Sequence, residues 1–343
     1  MSASLQQSML EAIETELKRQ VARLDQTKVI SFHEMLTYHM GWTGEGAGTQ
    51  ATGKRIRPLM ALLSFASFHS PNHDAKTDWQ NAVSAAAAIE LIHNFSLVHD
   101  DIQDNSELRR GRKTVWTKWG APMAINVGDA LFVIANQSVL DVSNRYPAEV
   151  VVKASSILSQ ACLELTKGQF LDMSYEERTN LTIEDYWPMI AGKTSALLSA
   201  CTEIGALLGY ANISQVEDMR LFGHHLGLAF QVQDDILGIW GDEAVTGKSA
   251  SSDLVEGKNS LPVLFALEKN GAFANRWKRG PIPHEEVAMV ANLLRDEGAK
   301  EYAEKISEAE TQTALDHLAS ANPQGEAGKA LTELANMLLK RKQ

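Results

Sequence analysis

The chain has 343 residues, of which 44% are hydrophobic and 22% are charged, and its 32 basic and 43 acidic residues give a formal net charge of -11. This composition is that of a globular protein and excludes collagen-like or intrinsically disordered chains. The acidic balance argues against nucleic acid or an anionic lipid surface as the main partner, because both attract positively charged surfaces. Cys162 and Cys201 are too few for a disulfide framework and suit a reducing compartment.

Apolar residues recur at helical spacing along almost every long segment, whereas alternating, strand-like runs are hard to find. The N-terminal segment is typical of an amphipathic helix and not of a secretory signal, because Glu11, Glu14 and Glu16 interrupt its apolar stretch. The most apolar stretches are short or carry charge, so none predicts a membrane span. We therefore expect one all-helical domain over residues 1–343, a cytoplasmic location and no stable membrane insertion.

The segment from Gly53 to Pro58 places three positive charges, Lys54, Arg55 and Arg57, directly before an apolar helix. Proline suits the first turn of a helix, and the helix N-terminus favours anions. A single basic run is usually a solvated surface. In an acidic protein that also carries carboxylate pairs, repeated basic clusters indicate phosphate groups.

The strongest chemical pattern is the acidic sequence from Asp100 to Asp104, which closes an apolar helical run. On a helix, Asp100 and Asp104 lie one turn apart with Cβ atoms about 5–6 Å from each other. Their repulsion in a partly apolar setting predicts a cation between them, and oxygen ligands suit Mg²⁺, which keeps waters and adds phosphate oxygens. A basic cluster, Leu108 to Lys113, follows within a few residues.

A second acidic pair, Asp234 and Asp235, closes another apolar helix and has Gln231 one turn earlier. The position one turn after Asp234 is Gly238, which offers no ligand. Thr182 and Asp185 have the spacing of a capping box that opens a helix, and Pro188 and Gly192 predict a kink in it beside Lys193. Two further lysines, Lys248 and Lys258, follow the second pair.

In this order, these motifs resemble the trans-type isoprenyl diphosphate synthases, or polyprenyl synthetases. The resemblance covers most of the chain and rests on GKRIRP at Gly53, HDDIQDNSELRRGRKT at His99, GQFLD at Gly168, GKTSALL at Gly192, FQVQDDILG at Phe230 and LP at Leu261. It implies an all-α helical bundle around a deep central cavity, an isoprenoid synthase-type fold, and a homodimer. The implied reaction condenses isopentenyl diphosphate with an allylic diphosphate through ionisation and head-to-tail 1'-4 coupling.

The resemblance also implies a role for each matching residue. Asp100, Asp104 and Asp234 would bind magnesium, and each active site would hold three magnesium ions. Asp101 and Asp235 would support these three ligands. The allylic diphosphate would contact Arg109, Lys193 and Lys258, and Lys248 would also bind substrate. Isopentenyl diphosphate would contact Lys54, Arg57, His93 and Arg110. Thr194 and Gln231 would line the reacting carbons, and Gln169 and Asp172 would lie beside the metals.

Product length in this family depends on cavity depth, and the residues five and four before the first acidic motif help to form its floor. Here they are Phe95 and Ser96, which favour geranylgeranyl diphosphate (C20) with farnesyl diphosphate (C15) next. Two other readings stay open: a class I terpene cyclase of the same fold, and a non-catalytic helical partner subunit. A cyclase has no use for a second set of diphosphate-binding cations, and a partner subunit would be expected to lose the first acidic motif.

Overall fold

The computed structural model describes residues 2–68, 78–176, 178–241 and 252–339. Helices dominate these ranges, and their bounds are α1 Ser2–Val21, α2 Ile30–His39, α3 Thr49–Thr52, α4 Ile56–Ala66, α5 Val83–Gln103, α6 Val115–Trp119, α7 Ala121–Leu140, α8 Ala148–Tyr175, α9 Ile183–Ile190, α10 Ala196–Leu208, α11 Ile213–Trp240, α12 Ser252–Val255, α13 Leu261–Lys269, α14 Ala272–Trp277, α15 Val287–Asp296, α16 Ala299–Ala321 and α17 Gly325–Leu339. A π-helical turn, Ala191–Ser195, joins α9 to α10. In the described ranges, β structure is confined to the antiparallel pair β1 Leu108–Arg109 and β2 Arg112–Lys113. The all-helical prediction is confirmed.

The chain divides into two compact units. The first contains residues 1–160, 200–216 and 322–331, and the second contains residues 161–199, 217–321 and 332–343. The helices α8, α10, α11 and α17 each contribute residues to both units. Organisation as a single domain stays a prediction.

In the first unit, the core forms where helices turn one apolar face inward. Met9, Ile13 and Leu17 of α1 recur every four residues and are fully buried, which is the periodicity of an amphipathic helix. The helices α4, α5 and α7 add further buried apolar residues, and α5 packs against α1, α4 and α7. At the α5–α7 contact, a Cβ on Gly128 would lie 2.2 Å from the His99 ring. This close approach fixes the end of α5 that carries the first acidic motif.

In the second unit, the entry to α9 follows the predicted capping box. The Asp185 carboxylate accepts hydrogen bonds from the Thr182 backbone N–H and hydroxyl, at 2.9 and 3.0 Å. After Pro188 the helix widens into the π turn beside Lys193, at the place where the sequence predicts a kink. A Cβ on Gly192 would lie 2.8 Å from the Gly168 Cα, so the backbones of α8 and the π turn touch directly.

Two helical stretches, Trp79–Gln103 and Ala121–Asn144, are long and apolar enough to cross a membrane by length and composition. The apolar pattern of the sequence predicts no membrane span in either stretch. In the first, 72% of the most apolar window is buried inside the protein, which is the behaviour of a core helix. Core helices of globular proteins pass the same test, so this finding does not establish a membrane span.

Candidate active site

The first acidic motif lies at the C-terminal end of α5. The Asp104 backbone N–H donates to the Asp100 carbonyl at 2.8 Å, so the one-turn spacing predicted for these two aspartates is present. Asp101 is buried, at 2% exposure. Helix C-termini carry partial negative charge from their free carbonyl groups, which disfavours further carboxylates unless a cation offsets them. The local electrostatics thus favour a bound cation beside Asp100 and Asp104.

The Asp101 side chain binds an arginine. Its carboxylate accepts a hydrogen bond from Arg109 Nε at 2.8 Å. Burial raises the pKa of Asp101 to about 6, the Arg109 charge opposes that rise, and Asp100 and Asp104 add to it. Asp101 therefore positions Arg109 at the edge of the acidic motif.

Arg109 and Arg110 are held by a β-hairpin that the sequence analysis did not predict. Arg110 and Gly111 form its two-residue turn with φ values of 52° and 74°, the conformation of a type I′ turn. Arg109 binds Asp101, whereas Arg110 Nη1 donates to the Ala51 carbonyl at 2.7 Å. The hairpin thus directs one arginine to the acidic motif and its neighbour to the basic segment before α4.

The basic segment forms a second cationic group in the same unit. Arg57 Nη1 lies 3.3 Å from His93 Nε2. Burial lowers the pKa of His93 well below its ordinary value, and the Arg57 charge lowers it further, so the ring is neutral at pH 7. Arg57 Nε is buried and has no hydrogen-bond partner in the described part of the chain. A buried guanidinium donor in this state is suited to an anionic ligand oxygen.

Arg55 does not join that group, although the sequence places it between Lys54 and Arg57. Its backbone adopts a left-handed conformation with φ of 48°, and its side chain turns into the protein. There Nη1 donates to Glu90 Oε1 at 2.8 Å and Nε donates to Glu14 Oε2 at 3.2 Å. Lys54, in contrast, is exposed. Arg55 is thus an internal support for the loop that carries Lys54 and Arg57.

The proposed floor residues also lie in the first unit. Phe95 packs against the His99 ring, with centroids 5.0 Å apart, and against Phe132 of α7 at 5.4 Å. Ser96 is buried, and its hydroxyl donates to the His93 carbonyl at 2.8 Å. Local spacing does not point to Phe132, because Phe132 lies 37 residues after Phe95 on a different helix.

In the second unit, Asp235 is the centre of a hydrogen-bond network. Its carboxylate accepts from the Tyr186 hydroxyl at 2.7 Å, the Leu261 backbone N–H at 3.0 Å and Gln231 Nε2 at 3.1 Å. Gln231 in turn accepts from the Thr194 hydroxyl at 2.8 Å. Burial raises the pKa of Asp235 to about 7, while these three donors oppose the rise. Asp235 thus fixes the end of α11 beside Asp234.

Two lysines of the second unit each pair with a carboxylate. Lys193, in the π turn, forms an ion pair with Asp172 of the GQFLD motif. Lys258 Nζ lies 3.3 Å from Asp253 and 2.8 Å from Glu256. Gln169 is buried. Lys248 lies outside the described residues.

Asp100 and Asp104 in the first unit, and Asp234 in the second, carry carboxylate oxygens, which are hard ligands that fit Mg²⁺. Within the described ranges, no group of three or more His, Cys, Asp or Glu side chains is placed to hold a metal ion on protein ligands alone. Mg²⁺ commonly takes one or two carboxylates and completes its shell with water and phosphate oxygens. The residues present therefore fit a magnesium ion that arrives with a diphosphate.

Comparisons with known proteins agree with this chemistry. The chain is 34% identical over 341 residues to a (2E,6E)-farnesyl diphosphate synthase of Mycobacterium tuberculosis, covering 96% of this chain and 91% of the relative. It is 36% identical over 294 residues to a geranylgeranyl diphosphate synthase of the same organism, covering 84% and 81%.

Among solved structures, the polyprenyl synthetase from Streptomyces coelicolor A3(2) matches with a TM-score of 0.85 and 33% identity, over 98% of this chain and 99% of that one. The fold and the family resemblance drawn from the motifs are both confirmed. The polyprenyl synthetase family model matches residues 47–293. The chain therefore belongs to the polyprenyl synthetase family.

Proposed function

We propose that this protein is a short-chain trans-prenyltransferase that joins isopentenyl diphosphate to an allylic diphosphate. The product is geranylgeranyl diphosphate or farnesyl diphosphate. Family membership and the relatives with these two activities support the reaction class. The observation that carries the proposal is the separate cationic group around Arg57, whose buried Nε has no hydrogen-bond partner in the described ranges. A second diphosphate needs such a group, and a terpene cyclase does not.

The allylic diphosphate is assigned to the acidic motifs and the lysines near them. Asp100, Asp104 and Asp234 would hold magnesium, with three ions expected per site. When bound, these ions would stabilise the negative charge of the departing diphosphate. Arg109, Lys193, Lys258 and Lys248 add positive charge where negative charge develops as the C–O bond breaks. Asp101 and Asp235 keep Arg109 and the end of α11 in position through the contacts described above.

Isopentenyl diphosphate is assigned to Lys54, Arg57, His93 and Arg110. Arg57 offers its unpaired Nε to a phosphate oxygen, and the neutral His93 ring contacts the same guanidinium at Nη1. The isopentenyl double bond then attacks the allylic carbocation, and the departing diphosphate accepts the proton that is lost. Thr194 and Gln231 are assigned beside the reacting carbons, where apolar surroundings must exclude water.

We further propose that the active form is a cytoplasmic homodimer in which a second copy covers the outer face of α7. On α7, Val133 and Leu140 lie two helical turns apart and are 53% and 49% exposed. Large apolar side chains exposed in one region favour a protein interface. Light scattering should give twice the chain mass, and Val133→Glu should give the monomer mass. A wild-type mass of 37.6 kDa would contradict the dimer.

Product analysis tests the function directly. The purified protein is incubated with isopentenyl diphosphate, Mg²⁺ and a C5, C10 or C15 allylic primer, and the products are sized after phosphatase treatment. We expect elongation to C15 or C20. Failure to elongate any primer would contradict the synthase, and release of a cyclic hydrocarbon without consumption of isopentenyl diphosphate would identify a cyclase instead.

Two matched variants sharpen the test. Asp100→Ala should abolish turnover, whereas Asp25→Ala, which removes an exposed carboxylate of the same unit, should leave it near wild type. Arg57→Ala should raise the KM for isopentenyl diphosphate with little change in the KM for the primer. A rise in the primer KM alone would contradict the assignment of this second subsite.

A further inference from the structure

Gly238 lies one helical turn after Asp234, at the position that Asp104 holds relative to Asp100 in the first acidic motif. The structure shows what occupies the space beside it. A Cβ built on Gly238 would lie 2.0 Å from Asp253 Oδ2 and 2.5 Å from Asp253 Cγ. Asp253 comes from α12 and is only 7% exposed. The face of α11 that carries Asp234 therefore has a carboxylate one turn later, but that carboxylate comes from another helix.

The Asp253 carboxylate has a defined environment. Its Oδ1 lies 3.3 Å from Lys258 Nζ, and its backbone carbonyl accepts from the Lys258 N–H at 2.9 Å. Asp253 and Lys258 are thus tied together by both main chain and side chain. Glu256 also contacts Lys258 at 2.8 Å, but its side chain is 53% exposed, so water screens that pair more strongly.

We propose that Asp253 is the third carboxylate of the second acidic group, and that Gly238 is required because it leaves the room that this carboxylate occupies. Asp253 is a positioning residue: it holds Lys258 against the α11 face next to Asp234, where the magnesium–diphosphate ligand is assigned. The inference rests on the proposed function, since it concerns how that ligand is held. It predicts that replacing Gly238 with aspartate impairs the enzyme, because the new side chain displaces Asp253.

The test uses Mg²⁺-dependent binding of inorganic pyrophosphate, followed as the rise in melting temperature over a magnesium titration. Asp253→Asn and Gly238→Asp should each weaken the apparent magnesium affinity by roughly tenfold, the lower end of what lost supporting contacts cost at metal sites. Glu256→Gln is the matched control, because it removes the exposed partner of Lys258, and it should change the affinity by less than about twofold.

The exchange variant Gly238→Asp/Asp253→Gly moves the carboxylate from α12 to α11 and should recover most of the lost affinity. Wild-type affinity in Asp253→Asn, or no recovery in the exchange variant, would overturn the inference. Melting temperatures without ligand report whether each variant folds. If the wild-type protein itself showed no magnesium-dependent response to pyrophosphate, the proposed function would fail, which is a distinguishable result.

Discussion

Arg55 and Glu90 form a buried ion pair, with Nη1 and Oε1 2.8 Å apart and side chains 5% and 4% exposed. The pair connects the loop before α4 to the middle of α5. Asn94 Nδ2 also donates to Glu90 Oε1, at 3.1 Å. Because Lys54 and Arg57 flank Arg55, this buried pair fixes the loop that carries the two cations proposed above to bind isopentenyl diphosphate.

Breaking this pair from one side should be costly. Glu90→Leu leaves the Arg55 guanidinium buried without its main partner, so we expect the free energy of unfolding in urea to fall by about 3–5 kcal/mol. The double variant Arg55→Met/Glu90→Leu removes both charges and should lose less than the sum of the two single variants. Additive losses would show that the two residues do not act as a pair.

Gly53 should be essential for binding isopentenyl diphosphate. Its φ is +79°, and a Cβ there would lie 2.6 Å from the Arg110 guanidinium. Gly53→Ala should therefore displace Arg110 and raise the KM for isopentenyl diphosphate by about tenfold or more, since small misplacements of binding groups have large kinetic effects. Gly325→Ala is the control, because Gly325 has φ of +71° with nothing within 4 Å of its Cβ. An equal rise in KM in both variants would show that backbone strain alone weakens the binding of isopentenyl diphosphate.

Product length should depend on two aromatic rings from different helices. Phe95→Ala and Phe132→Ala each remove one partner of the contact between α5 and α7, and each should lengthen the product by at least one five-carbon unit. Ser96→Ala keeps the size of the side chain and should leave the product distribution unchanged. An unchanged distribution in Phe95→Ala would exclude Phe95 from the floor.

His39 should contribute to acid sensitivity. Burial, together with the charges of Arg109 and Arg110, lowers the pKa of His39 from 6.5 to about 3. Between these values the unfolded chain binds a proton that the folded protein does not. Stability should therefore fall as the pH decreases from 6.5 towards 3, by about 1.4 kcal/mol per pH unit for this group.

Urea unfolding at several pH values measures this slope. His39→Asn should reduce it, while His284→Asn, at an exposed position, should leave it unchanged. An identical pH dependence in wild type and His39→Asn would contradict the assignment.

The elements that sequence periodicity could predict are the long ones. Apolar residues at helical spacing over α5 and α11 predicted both helices, and the capping box at Thr182 predicted the start of α9. The hairpin at Leu108–Lys113 was missed because two-residue strands are too short to show alternation. The inward orientation of the Arg55 side chain was missed, because Arg55 lies among other cations in the sequence and nothing in its neighbours indicates a left-handed backbone.

The site could be predicted only as far as local spacing reaches. Asp100 and Asp104 are close because they are one turn apart. Tyr186 lies 49 residues from Asp235, and Asp253 belongs to a different helix from Gly238. Such contacts depend on how helices pack, which the order of residues in one chain does not specify.

The direct backbone contact between Gly168 and Gly192 has a practical consequence for protein engineering. Any side chain at either position would force α8 away from the turn that carries Lys193, so neither codon should be varied in a mutant library. Diversity is better introduced at Phe95, Ser96 and Phe132, where changes in size alter space along α5 and α7 and leave the helix framework of the other unit untouched. Libraries designed in this way should retain a high proportion of folded clones while sampling new chain lengths.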